Sequence, residues 1–191
     1  CIRDRPISLQ YPLIELTCAI ITTFVVLHFG INTTALLVLL FSWSLIALTG
    51  IDFNEQLLPD NITLPLLWLG LLININNTFA TLNDAVIGAA AGYLALWWIF
   101  WVFKLLTGKE GMGHGDFKLL AALGAWMGWQ QLLLIVLLSS LVGAIVGIVM
   151  MVFLGRDKQI PIPFGPYLAA AGWIALIWGD TLTSQYLALY S

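Results

Sequence analysis

From Leu119 to Leu154 the chain carries no acidic or basic side chain. As a single helix this stretch would be about 54 Å long, far beyond a hydrocarbon core of about 30 Å. It must fold back on itself, and Gly128-Trp129-Gln130-Gln131 is the polar, aromatic place for the turn. The long stretch therefore divides into 117–128 and 131–154, and further apolar runs lie at 12–29, 35–51, 62–76, 85–106 and 164–180. With 61% hydrophobic and only 9% charged residues, the chain is of the membrane class. The expected fold is all-α, a polytopic membrane helix bundle of about seven transmembrane helices.

The basic residues give this map a direction. Arg3, Arg5, Lys104, Lys109, Lys118, Arg156 and Lys158 all fall on one side of it, and the other side has none. The positive-inside rule makes that side the cytoplasm, with the amino end inside. The lipid bilayer is thus an expected partner. A nucleic acid is not, because the net charge is -3 and the basic residues form no patch. Cys1 and Cys18 are too few for a disulfide framework or a four-ligand zinc site.

Two spans, 62–76 and 117–128, are short for the core thickness, and both border acidic residues on the cytoplasmic side. A water-filled pit reaching Asp52 and Asp116 is the simplest expectation. Gly88 and Gly92, and Gly143 and Gly147, repeat at four-residue spacing within spans, which favours close helix packing.

Asp116 stands behind three alternating glycines, Gly111, Gly113 and Gly115, at the mouth of an apolar run. A carboxylate at the edge of hydrocarbon is costly and marks a functional site by default. The glycines leave room for an extended peptide to lie beside the acid, although a glycine loop ending near a helix cap has the same composition. Asp52 ends the second apolar run. Helix packing can bring the two acids together at the cytoplasmic end, where two neighbouring carboxylates share a proton. One then acts as acid on a carbonyl while the other activates water. The helix dipole disfavours charge on Asp52, at a helix carboxyl end, and favours it on Asp116, at an amino end.

Other polar residues are weighed against simpler roles. Glu15 near the start of the first span suits an anchor or a site-supporting group. Lys118 suits charge compensation in the pit or a lipid phosphate. His114 has no partner set for a metal, and no metal site is expected. Glu55, Asp60 and Glu110 read as solvated loop acids, and Pro161, Pro163 and Pro166 as a rigid entry to the last span that could border the site.

Four motifs in order carry a resemblance: Tyr11-Pro12 with Glu15, Ile51-Asp52 with Leu58-Pro59-Asp60, Gly111-Met112-Gly113-His114-Gly115-Asp116 with Lys118, and Pro163-Phe164-Gly165-Pro166. Together they resemble the type IV prepilin peptidases, GxGD-type aspartic proteases of the bacterial inner membrane. The resemblance implies a multi-pass protein that cleaves leader peptides of type IV prepilins or type II secretion pseudopilins at the cytoplasmic face. It implies catalytic Asp52 and Asp116, with Gly111, Gly113, Gly115, Lys118 and Glu15 as substrate-binding candidates. Proteolysis of this kind needs no cofactor. S-adenosylmethionine and zinc belong to an amino-terminal segment of full-length members, which also methylate the new amino terminus. Here only Cys1 stands where the last cysteine of that segment would be. Residues 1–11 are accordingly expected to be a cytoplasmic remnant and 12–191 a transmembrane aspartic peptidase domain. A presenilin-like protease would have Tyr where Ile51 stands. The reading from another class is an ion- or proton-coupled transporter using the two aspartates, which internal repeats would support.

Overall fold

The computed structural model describes residues 9–108, 112–153 and 163–188. Among them are seven α-helices: α1 (Gln10–Phe29), α2 (Thr33–Glu55), α3 (Asp60–Ile73), α4 (Leu82–Thr107), α5 (His114–Met127), α6 (Leu132–Phe153) and α7 (Gly165–Ala188). Short 3₁₀ turns follow α3 and precede α6. The helices match the apolar runs to within a few residues, except that α7 continues to Ala188 where the last run ends at 180. α2 differs, continuing one turn past Asp52 to Glu55, because exposed polar residues are compatible with the last turn of a helix.

Among the described residues four segments are long and apolar enough to cross a membrane: α1, α2, α4 and Trp129–Met150, which is most of α6. Their outer faces suit hydrocarbon, as the exposed Leu133, Leu137 and Leu141 at four-residue steps on α6 illustrate. α3 and α5, with 14 residues each, are too short by that measure.

α5 is the centre of the bundle. From Asp116 to Met127 every residue except Lys118 is buried, so this helix is apolar all round because protein surrounds it. α3, α4 and α7 pack against it. The crossing with α4 is close because both helices lack side chains at the contact. A Cβ on Gly88 would run into the carbonyl oxygen of Gly124, and one on Gly92 would come 2.7 Å from that of Leu120. The glycine spacing on α4 thus has its packing partner. Gly143 on α6 instead faces the Tyr167 ring, where a Cβ would sit at 3.3 Å.

Buried polar groups lock α3 to the far end of α5. The side-chain nitrogen of Asn74 donates to the carbonyls of Ala125 and Trp126, both at 2.9 Å, while its oxygen accepts from the amides of Phe79 and Ala80. Trp126 donates its indole N–H to the Leu66 carbonyl at 2.8 Å and lies against Gly70. The turn after α5 is at Gly128, with φ +81°, as the uncharged stretch required.

α1 is held differently. Val25 is its only buried residue, clustered with Ala35 and Val38 of α2 near the turn between the two helices. Gly30, with φ +74°, makes that turn, and Asn32 caps α2 by accepting from the Ala35 amide at 2.8 Å. The amino half of α1 is consequently free to stand off from the bundle.

Candidate active site

Asp52 comes from the last turn of α2 and Asp116 from the first turn of α5. The two are separated by the whole of α3 and α4 in the chain, yet both line one cavity of about 840 Å³ at the same end of the bundle. Each is 5% exposed. Asp116 lies near enough to Asp52 for their charges to repel.

Each carboxylate is aimed by one backbone amide. Asp116 is the third residue of α5, and its Oδ2 accepts from the Gly113 amide at 3.2 Å while its own amide donates to the Gly113 carbonyl, also at 3.2 Å. This reciprocal pair closes the first turn of α5 and fixes the acid. Asp52 Oδ2 accepts from the Gly165 amide at 3.1 Å. Gly165 is the first residue of α7, so Asp52 lies at the carboxyl end of its own helix and at the amino end of another. The dipole contrast expected from α2 and α5 alone is therefore lost, since both acids face an amino-terminal amide.

Leu58 packs against the glycines that neighbour the two acids in the site. It lies in the loop between α2 and α3 and is buried. A Cβ on Gly115 would come 2.7 Å from the Cβ of Leu58, and one on Gly165 would come 3.3 Å from its Cδ1. The same side chain is wedged between the residue preceding Asp116 and the residue holding Asp52. Gly115 therefore makes room for the protein's own Leu58. Among the described residues, a Cβ added to Gly113 would have only the Asp116 carboxylate within 4 Å, at 3.7 Å. Gly111 and Glu110 lie outside the described residues, as do Arg3, Arg5, Lys109, Arg156, Lys158 and Pro161.

Lys118 lines the cavity but is already engaged. Its Nζ donates to both oxygens of Asp60, at 2.6 and 2.7 Å, tying α5 to the start of α3. Asp60 is thus an ion-pair partner in the cavity wall as well as a solvated acid. His114 also borders the cavity, and its ring packs 5.3 Å from Phe100 and 5.5 Å from Phe117. Glu15 is exposed on α1 and is not among the residues lining the cavity. The structure thus brings Asp52, Asp116, Gly113, Gly115 and Lys118 together and leaves Glu15 apart.

The cavity wall also contains a residue that the sequence did not single out. Gln56 closes α2 in the left-handed conformation, φ +52°, and donates its amide to the Asp52 carbonyl. Phe164 and Pro163 line the opposite wall. The Pro163-Phe164-Gly165-Pro166 motif was the available signal for that wall. For Gln56 no local signal exists.

A family model for the type IV leader peptidase family matches residues 39–148, more than half of the chain and including both acids. The chain belongs to this family. It is 58% identical over 181 residues to a prepilin leader peptidase/N-methyltransferase of Stutzerimonas stutzeri, covering 95% of the chain and 63% of that protein. A protein of the same name from Aeromonas hydrophila is 59% identical over 184 residues, covering 96% and 63% respectively. For one from Legionella pneumophila the identity is 45% over 187 residues, covering 98% of the chain and 65% of the relative. The chain thus spans slightly less than two thirds of these relatives' length. No solved structure matches it.

Proposed function

We propose that this chain is the aspartic endopeptidase part of a prepilin peptidase, cleaving leaders of type IV prepilins or type II pseudopilins at the cytoplasmic face of the bacterial inner membrane. One observation carries the reading: two buried carboxylates from different helices converge on one cavity, each aimed by a single backbone amide. Such a pair holds one proton between its members. The protonated member polarises the scissile carbonyl, and the ionised one takes a proton from the attacking water. The tetrahedral intermediate then collapses as a proton passes to the leaving amine, and neither acid becomes covalently attached. No cofactor enters this scheme, and the methyl transfer in the relatives' name is not assigned to these residues.

On this reading residues 12–191 form the membrane domain, and all seven helices cross or enter the bilayer with the cavity open to the cytoplasm. The end-to-end arrangement supports this, because the end of α2 and the starts of α5 and α7 meet at one end while Asn74 and Gly128 lie at the other. The test is cleavage of a purified prepilin by the protein in phospholipid vesicles, followed by mass. Loss of the leader at the glycine preceding the apolar helix supports the reading. No cleavage by a folded sample refutes it for this chain and favours the transporter class.

A further inference from the structure

A second cavity, of about 480 Å³, lies between the amino half of α1, the second half of α2 and the start of α7. It is an apolar groove left where α1 stands off from the bundle. Leu13 and Phe53 on its rim are 62% and 57% exposed, and short side chains such as Thr49, Gly50, Ala169 and Ala170 form its wall. Of the hydroxyls that line it, those of Ser42 and Thr17 are already engaged within the protein. Ser42 donates to the Val38 carbonyl and accepts from the Trp173 indole, and Thr17 donates to the Leu13 carbonyl. An occupant therefore needs no polar groups at this depth.

The groove abuts the aspartate site. Phe53 follows Asp52 in the chain, and Pro166 follows Gly165, whose amide holds the Asp52 carboxylate. The last turns of α2 and the first of α7 are thus a shared wall, with the acids on one side and the groove on the other. Along α1 the groove runs from Gln10 to Ile21, and along α2 from Ser42 to Phe53. At about 1.5 Å per residue each wall is about 16 Å long, which is three turns of helix.

We propose that this groove seats one face of the substrate's apolar helix. The inference rests on the peptidase reading above and adds where the substrate is held. A helix lying there ends within a residue or two of Asp52, so an extended segment of two or three residues, at about 3.3 Å each, carries the preceding bond over the shared wall to the acids. Short side chains on the groove wall let the two backbones approach, as helix packing in a bilayer requires. An acyl chain fits the same volume but has no reason to end beside the acids.

The experiment uses two substrates in phospholipid vesicles: a whole prepilin, and a peptide with the leader and cleavage site but no apolar helix. Ala170→Trp and Thr17→Trp each fill the groove from exposed positions without entering the core. Both are expected to lower kcat/KM for the whole prepilin about tenfold to a hundredfold, the worth of one or two buried apolar side chains, and to leave the peptide unchanged. In an Asp52→Asn background, a photoreactive benzoylphenylalanine at position 170 is expected to cross-link to the apolar helix of the prepilin. Equal rates for variant and parent on both substrates, equal losses on both substrates, or cross-links to phospholipid alone would each overturn the groove assignment. Failure of the unaltered protein to cleave either substrate would instead overturn the peptidase reading beneath it.

Discussion

Gly165→Ala separates the geometry of the site from its composition, because it leaves both aspartates in place and changes one hydrogen atom for a methyl. The new Cβ would lie 2.6 Å from Asp52 Oδ2 and 3.1 Å from its Cγ. Ordinary contact begins near 3.4 Å, so the carboxylate must retreat by about 0.8 Å and lengthen its 3.1 Å bond from the Gly165 amide. A displacement near 1 Å at a reacting group costs on the order of a hundredfold in rate. The carboxylate can move into the cavity, so the stability loss stays near the low end of the overpacking range, about 1 kcal/mol. Gly113→Ala is the matched control. Its Cβ would meet Asp116 Oδ2 at an ordinary 3.7 Å, and it should retain activity within about threefold, with a stability cost below about 1 kcal/mol. The assay is initial rate of prepilin cleavage alongside thermal unfolding in the same detergent. If Gly165→Ala keeps most of the activity, or if both alanine variants lose equally, the aiming role of the Gly165 amide is wrong.

Asp52→Asn and Asp116→Asn should each abolish leader removal while leaving the unfolding temperature near that of the parent, and turnover by either would remove that residue from the proton-sharing pair. Asp60→Asn should keep most activity. Its pair with Lys118 is partly open to solvent, with the two side chains 55% and 28% exposed, and such pairs contribute at most about 1 kcal/mol. Gly124→Ala should destabilise the protein by about 1–3 kcal/mol, since its Cβ would collide with the Gly88 backbone on α4, whereas Gly143→Ala meets the Tyr167 and Phe164 rings and should cost less. Thermal unfolding of the two variants gives that comparison directly. Cysteines replacing Asn54 and Asn76 should react with an impermeant thiol reagent from opposite sides of sealed vesicles, and same-side labelling would refute the proposed membrane orientation.

What the sequence determines by itself is the set of helices and the turns between them. Apolar runs, the charge-free stretch at 119–154 and the glycine at 128 are local properties, and local backbone preferences suffice to place α1 to α6 and the start of α7 within a few residues. The two acids were legible for the same reason, each being an ionisable residue next to an apolar run. The resemblance added Gly165 as part of a motif, without its task. Only the tertiary structure decides that α5 is enclosed by protein, that Leu58 packs against both Gly115 and Gly165, that Lys118 pairs with Asp60 across 58 residues of sequence, and that Asp52 is aimed by an amide 113 residues away. These contacts depend on how each helix is rotated and how closely neighbours cross. That is settled by the joint fit of side chains such as Gly88 against Gly124, and no segment carries that information alone.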